Sequence, residues 1–464
     1  MTVQERIKNR KIGIIGMARS GLAAAMLADE FGGEPFVSDS KDERLLGSQV
    51  ERLTALKIPF ETGGHSDRLL GCDYLVVSPG VPLEIDVISR ARQQGVPVFS
   101  EIEFASWACR GKIVAVTGSN GKTTTTTLIG DIFSAAGFDA FVGGNIGLAF
   151  SDIALKVPEE GLAVIEVSNF QLQTIDQFTP DTALILNLTP DHLDRHATFD
   201  DYKRAKYRIT ENQSSEQTLI VNLDDPEIVV DDMATRAAVR HFTTGDHSQA
   251  LSFVRGDVLY ARIDGTETPV IECSKILIPG PHNLQNAAAA VSAASLYGVG
   301  IDVMAKVLAS FPGVEHRLEK VGRVAGIDFV NDSKATNVDS VCFALRSIDT
   351  SIHLIAGGRD KGGVFEKIAD YGQGKIKGII AIGEARDKIF SALGQTFPVQ
   401  FAQTLPEAVK QAFGSAFPGE TVLLSPGCAS FDQFEDFEHR GRVFKEAVAE
   451  LRNGKNENEA LTQR

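Results

Sequence analysis

The chain has 464 residues, more than one hydrophobic core usually organises, so several domains are expected. Lys and Arg total 46 against 61 Asp and Glu, and the resulting net charge of −15 argues against a general nucleic-acid or membrane-surface binder. A small anionic ligand stays open, because a local pocket can be positive on an acidic protein. The five cysteines (Cys72, Cys109, Cys273, Cys342, Cys428) are scattered and form no C-x-x-C pair, which reads as free thiols in a reducing compartment. The start, MTVQERIKNRKIGIIG, carries no apolar signal region, and no stretch approaches the roughly 18 apolar residues of a membrane span. A cytoplasmic enzyme with no membrane insertion is the expectation.

Short β-branched runs alternate with helical patterns, the signature of parallel sheets covered by helices in an α/β protein. The first set is KIGIIG (11–16), EPFVSD (34–39), IPFETG (58–63), YLVVSPG (74–80) and VPVFSE (96–101). After the first strand, IIGMARSGLAAAML places Gly16, Ala18 and Gly21 at the three positions of G-x-G-x-x-G. The middle glycine normally lets the backbone approach a dinucleotide pyrophosphate, so Ala18 counts against an ordinary NAD site. Asp39 stands about where a ribose-binding acid would stand. A nucleoside diphosphate touched by Ser20, Asp39, Ser40 and Lys41 stays open beside plain helix–sheet packing. A domain boundary is placed near residue 101.

The second set is KIVAVTG (112–118), DAFVGGN (139–145), LAVIEVS (162–168), ALILNLT (183–189) and TLIVNLDD (218–225). KIVAVTG runs into T-G-S-N-G-K-T. Against G-x-x-x-x-G-K-[ST], Gly121, Lys122 and Thr123 fit, but Val116 occupies the first glycine position. The physics still suits a phosphate. Gly118 and Gly121 permit backbone in which successive N–H groups face an anion. A helix beginning near Lys122 adds its free N–H groups and dipole. Lys122 can reach terminal phosphates, and the Thr123 hydroxyl can serve magnesium. Leu128, Ile129, Ile132, Phe133 and Ala136 share one helical face, and Gly137 closes the element.

Glu166 ends LAVIE, where a carboxylate beside a phosphate loop suits magnesium, a hard cation that prefers oxygen. A surface Glu capping a helix is the plainer alternative. NLTPDHLDRH holds His192 and His196 at i, i+4 spacing, yet no Cys and no H-E-x-x-H accompany them, so zinc is not expected. In DDYKRAKYRI, Lys203 and Lys206 lie one turn apart, and nothing in the spacing picks out Lys206. Residues 240–275 read as an irregular β-rich connection. A second boundary falls at FPGVEH (311–316). The third set includes IDFVNDS (327–333), IHLIAGG (352–358), GIIAIG (378–383) and TVLLSPG (421–427), followed by a polar tail after Glu450 that is expected to fray.

Taken together, TGSNGKTT, GGNIG, IEVSNFQL, NLTPDHLDRH, YKRAK, GPHNLQNAAAA, HRLE, NDSKATN, GGRDKGG and SPGCASFDQFEDFEHRG resemble the muramyl peptide ligases, in order along nearly the whole chain. The resemblance implies three domains. Residues 1–101 would form a Rossmann-like domain for the UDP-linked substrate. Residues 102–313 would form a central P-loop mononucleotide-binding parallel sheet, and residues 314–464 a C-terminal Rossmann-like domain for the amino acid. It also implies ATP and two magnesium ions, with UDP-N-acetylmuramoyl-L-alanine and D-glutamate as substrates, no nucleic acid, and a monomer. ATP would phosphorylate the alanine carboxylate, and the D-glutamate amine would displace the phosphate.

Residue roles follow from the same resemblance. Gly118, Ser119, Asn120, Gly121, Lys122, Thr123, Thr124, Asn283, Asn286, Arg317 and Asp332 resemble the ATP-binding set, the last two from the third domain. Thr123, Glu166, His192 and a carbamylated Lys206 resemble the metal ligands. With Lys122, the last three make up the implied catalytic group. Ser20, Asp39, Ser40, Lys41, Ser78, Gly80, Asn145, Ser168 and His192 fall where the family holds the UDP substrate. Lys334, Thr336, Lys361, Ser430 and Phe437 match a D-glutamate pocket. Asn169 replaces the second Ser of the more usual E-x-S-S-F-Q-L, and Arg359 with Asp360 departs from some relatives' glycine-rich loop. Rival readings are folylpolyglutamate synthase, which lacks a full N-terminal domain of this kind, and a nucleotide-gated regulator without ligation chemistry.

Overall fold

The computed structural model describes residues 2–191, 195–360 and 362–462, with side chains to residue 453. The chain forms two compact units, residues 1–311 and 312–464. The first unit carries two sheets and the second carries one.

The first sheet holds β1 (Lys11–Ile15), β2 (Glu34–Ser38), β3 (Phe60–Glu61), β4 (Tyr74–Val77) and β5 (Val98–Ser100). Its order is β3-β2-β1-β4-β5, all parallel. The middle sheet holds β6 (Lys112–Thr117), β7 (Ala140–Gly144), β8 (Leu162–Glu166), β9 (Thr182–Ile185) and β10 (Thr218–Asn222). It continues with β11 (Ala238–Phe242), β12 (Ala250–Arg255), β13 (Val258–Ile263) and β14 (Thr266–Glu272). Its order is β14-β13-β12-β11-β10-β9-β6-β8-β7, parallel from β7 to β12 and antiparallel across the last three. The stretch read as an irregular connection is therefore a regular sheet extension. Its strands are half-buried and rich in charge, so they lack the unbroken apolar run that marks a strand covered on both faces.

The third sheet holds β15 (Glu319–Val324), β16 (Ile327–Asn331), β17 (Ile352–Gly357), β18 (Ile376–Ile382), β19 (Val399–Phe401) and β20 (Thr421–Leu424). Its order is β15-β16-β20-β17-β18-β19, with only β15 antiparallel among the described strands. The tail is helical rather than frayed: the last helix spans Phe437–Thr462. Its Glu, Lys, Ala and Leu residues are good helix formers.

The segment expected to separate the first two domains is a packed joint. Helix Glu101–Ser106 begins directly after β5, and Ser100 caps it. Glu103 is fully buried. Its Oε2 accepts the backbone N–H groups of Asp176, Gln177 and Phe178 at 2.9, 3.0 and 2.7 Å, and its Oε1 accepts the Trp107 indole N–H at 2.7 Å. Trp107 meets Tyr74 and Phe99 edge-on at 5.7 and 5.3 Å. A buried charge is tolerated only when its acceptor sites are filled in this way.

In all three sheets the order reverses beside one strand, and loops at the carboxyl ends there form a crevice. These points lie beside β1 and β4, β6 and β8, and β16, β20 and β17. The candidate residues cluster there.

Candidate active site

The loop after β6 is shaped by its glycines. Gly118 sits at φ +147° and Gly121 at φ +80°, backbone that side chains resist. Gly121 precedes helix Lys122–Ala135, and a Cβ on it would lie 2.3 Å from Asn286 Oδ1. Asn286 in turn accepts from the Thr125 hydroxyl at 3.2 Å and donates to Asn283 Oδ1 at 3.1 Å. Asn283 and Asn286, on helix Pro281–Leu296, thus stand against the loop. Thr124 is buried within helix Lys122–Ala135.

The chain that follows β9 clamps this loop. Asn187 accepts from Asn120 N–H at 2.8 Å and donates to Asn120 O at 3.0 Å. The Ser119 hydroxyl reaches Thr189 O at 3.0 Å and accepts Thr189 N–H at 2.9 Å. It also lies 2.9 Å from the Tyr202 hydroxyl. Asn187, Thr189 and Tyr202 were not singled out from the sequence, because such partners lie about 70 residues or more along the chain.

Two lysines and one carboxylate surround the loop. Lys122 Nζ donates to the carbonyls of Gly118 and Ser119 at 2.9 and 2.8 Å. Lys206 Nζ donates to the same Gly118 carbonyl at 2.8 Å and lies 4.6 Å from the centre of the Tyr202 ring. Lys206 is 1% exposed. Burial holds its amine well below the ordinary lysine range, and the Lys122 charge pushes the same way, against Asp191 and Glu166. Glu166 is also buried. Its Oε2 accepts from the Thr123 hydroxyl at 2.6 Å and its Oε1 from Asn145 Nδ2 at 2.9 Å. The fold thus singles out Lys206, which its spacing could not.

Thr123 and Glu166 offer hydroxyl and carboxylate oxygens side by side, the donor set that suits magnesium rather than zinc. His192 lies outside the described residues. Ser168 caps helix Asn169–Leu172, its hydroxyl bonded to Gln171 Oε1 at 3.0 Å.

In the first sheet, Gly16 has φ +96°, and a Cβ on Gly21 would lie 1.7 Å from the Gly16 carbonyl. Gly21 therefore serves close helix–strand contact. Asp39 is buried and accepts the N–H groups of Met17 and Lys41 at 2.7 and 2.9 Å. It ties β1's loop to β2's. Ser78 donates to Gly16 O at 3.3 Å. Ser20 is half-buried, and Ser40, Lys41 and Gly80 are exposed around this rim.

In the second unit, Asp332 follows β16. Ser425 Oγ donates to its Oδ2 at 2.7 Å, and burial pushes its carboxyl up to about 7 against Ser425 and Arg317. Lys334 Nζ lies 5.5 Å from the Phe437 ring centre. Thr336 is half-buried in the turn after β16, and Ser430 is 2% exposed after β20. Lys361 lies outside the described residues. Its neighbours are structural: Arg359 pairs with Glu384 at 3.0 Å, and Asp360 accepts the N–H groups of Gly362 and Gly363 at 3.0 and 2.9 Å. The residue missed here is Arg440, which is fully buried. It donates to Ser333 O, Ser333 Oγ and Cys428 O at 2.7, 3.0 and 3.1 Å. One guanidinium joins the turn carrying Lys334 to the loop carrying Ser430.

Comparison with known proteins gives the chain's family. Family models described as MurD N-terminal domain, Mur ligase middle domain, and Mur ligase, glutamate ligase domain match residues 11–87, 116–294 and 316–428. A UDP-N-acetylmuramoylalanine–D-glutamate ligase of Thermoanaerobacter sp. is 41% identical over 453 residues, covering 96% of this chain and 99% of the relative. The protein of that name from Chlorobium phaeobacteroides is 42% identical over 469 residues, covering 96% and 99%. Among solved structures, UDP-N-acetylmuramate–alanine ligase of Thermotoga maritima shares the fold at TM-score 0.61 and 18% identity, covering 95% of this chain and 99% of that one. The same organism's MurF ligase in complex with ADP gives 0.59 and 16%, covering 90% and 95%. The chain belongs to the Mur ligase family.

Proposed function

We propose that the chain is an ATP-dependent ligase that adds D-glutamate to UDP-N-acetylmuramoyl-L-alanine in peptidoglycan precursor synthesis, acting as a cytoplasmic monomer. The observation that carries this is the convergence of Lys122, Thr123, Glu166 and buried Lys206 on one glycine-lined loop. It is found in a chain 41% identical, over 96% of its length, to ligases of that name. Among the described residues no helix is long and apolar enough to cross a membrane.

A carboxylate is a poor electrophile, so it must be activated. A carboxylate oxygen attacks the γ-phosphorus of ATP, and the bond to the bridging oxygen breaks, releasing ADP. The D-glutamate amine then attacks the acyl carbon, the carbon–oxygen bond breaks, and phosphate leaves with the amine's proton lost to solvent. The loop 118–123 and Lys122 hold the phosphates. Thr123, Glu166 and His192 would hold two magnesium ions together with a carbamylated Lys206. Bound magnesium supplies positive charge between phosphate and carboxylate oxygens. The Lys206 amine, buried and held well below the ordinary lysine range, suits carbamylation, in which nitrogen bonds the carbon of carbon dioxide and a proton is released. Asn283, Asn286, Arg317 and Asp332 are assigned to nucleotide binding as well. Ser20, Asp39, Ser40, Lys41, Ser78, Gly80, Asn145 and Ser168 serve the UDP substrate. Lys334, Thr336, Lys361, Ser430 and Phe437 serve D-glutamate, whose two carboxylates call for cations.

The test is phosphate release from ATP by the purified chain. It should require both the UDP-linked acceptor and D-glutamate, with L-glutamate inactive. Release with neither substrate would favour a nucleotide-gated regulator.

A further inference from the structure

We propose that Asn169 and His196 form a buried positioning pair that holds the phosphate loop in shape from behind Tyr202. The roles given above to residues of the loop do not require either residue. Asn169 Nδ2 lies 2.6 Å from His196 Nε2, and the two residues are 3% and 5% exposed. The amide nitrogen can only donate, so Nε2 accepts and the ring's proton sits on Nδ1. The His196 ring lies parallel to Phe170, with centroids 5.9 Å apart and planes at 16°. It meets Tyr202 edge-on, at 5.5 Å and 81°.

Tyr202 then makes two contacts that matter. Its hydroxyl lies 2.9 Å from the Ser119 hydroxyl, and its ring lies under Lys206 Nζ at 4.6 Å. The pair therefore sits two contacts away from both the loop and the buried lysine. It also completes a second anchor. Segment 187–196 is tied at Asn187 to the loop after β6, and at His196 to the residue that opens the helix after β8. Asp191 and His192 lie in sequence between the two ties.

His196 also lines a cavity of about 540 Å³ with Gln173, Ala205, Arg208 and Met233. The Asn169 amide hydrogen bond acts with the Phe170 and Tyr202 ring contacts in holding the ring's orientation. Serine at position 169 has its oxygen one bond from Cβ and could not replace the longer amide at the same backbone position. The Asn169 departure from the usual serine is thus coupled to His196, 27 residues on.

This inference concerns the loop of the proposed ligase, but its test does not need ligation. Calorimetry with ADP and magnesium is run on the full chain and on Asn169→Ser, His196→Gln and the double variant. Each single change should weaken ADP binding about 5- to 10-fold by loosening a preorganised loop, and the double variant should be no worse than the weaker single. kcat should fall in parallel, while KM for D-glutamate stays unchanged. Multiplying effects, unaltered ADP affinity, or a rise in KM for D-glutamate would overturn the pair. A wild-type chain that binds ADP but forms no amide would end the ligase reading, and the ADP affinities would still decide the pair.

Discussion

The Thr123 hydroxyl and the Glu166 carboxylate touch directly, at 2.6 Å, between the first turn of helix Lys122–Ala135 and the end of β8, the strand paired beside β6. Both groups are buried, and the carboxylate's other oxygen is taken by Asn145. Glu166→Gln preserves the size and one acceptor but removes the charge. We expect turnover to fall on the order of 10²–10³-fold, the scale of losing one preorganised electrostatic contact to a developing charge. Stability should change by less than about 1 kcal/mol, since one hydrogen bond is exchanged for another. Steady-state kinetics beside denaturant unfolding check this. A turnover loss matched by an equal loss of folded protein would show that Glu166 is structural.

Lys206 presents the opposite balance of stability and activity. Its amine is buried against Lys122's charge and the Tyr202 ring. Lys206→Met keeps the length and apolar stem while removing the group that is costly to bury. Turnover should be almost abolished, and added bicarbonate should not restore it. Thermal stability of the chain freed of carbon dioxide should rise, by about 1–2 kcal/mol. Measured ADP affinity within about threefold of wild type would separate this loss from collapse of the loop.

Arg440 should behave as a structural pin of the proposed D-glutamate pocket. Its guanidinium is fully buried, and burial lowers its pKa to about 10. Arg440→Met would leave the carbonyls of Ser333 and Cys428 without these donors, at a cost of about 2–4 kcal/mol. KM for D-glutamate should rise more than KM for ATP, because the turn carrying Lys334 and the loop carrying Ser430 are what it joins. Equal effects on both substrates would count against this placement.

The contrast between Lys122 and Lys206 shows what a sequence displays. Gly118, Gly121, Lys122 and Thr123 are legible because a phosphate-loop turn constrains neighbours in the chain: positive φ and a helix start fall within six residues. The parallel strands are legible for a similar reason, since burial on both faces demands unbroken apolar runs. Lys206 is no different from Lys203 until the fold buries one and leaves the other ion-paired with Glu227. Arg440, Glu103 and Asn187 each act on a partner at a separation between 67 and 107 residues, and no periodicity carries that information. Edge strands β15 and β19 were missed because they are short or charged and half-exposed, so their apolar signal is weak. The family resemblance supplied Asn286, and the geometry gives it a physical place, against Gly121.

Glu101 should make the first unit's stability fall as pH rises toward neutrality. It is buried, with Oε1 taking the Ser151 N–H and hydroxyl, both at 2.6 Å. Among the described residues Oε2 has no hydrogen-bond partner. Burial pushes its carboxyl from 4.5 to about 7. The Ser151 donors and Arg19 act against the shift, and Asp152 adds to it. Between those values the native state keeps a proton that the unfolded chain has released. Unfolding stability then decreases with pH across the window. The contribution is fully present below about pH 4.5 and gone above about pH 7, and amounts to roughly 1–3 kcal/mol. Glu101→Gln keeps an acceptor for Ser151 and cannot ionise, so it should flatten this slope and be the more stable form at pH 8. Trp107 is the single tryptophan and lies in the first unit, so its fluorescence follows that unit alone during denaturant unfolding. Asp332, also raised to about 7, sits in the second unit and does not enter that signal. A Trp107-monitored slope from pH 5 to 8 that persists in Glu101→Gln would assign the pH dependence to another group.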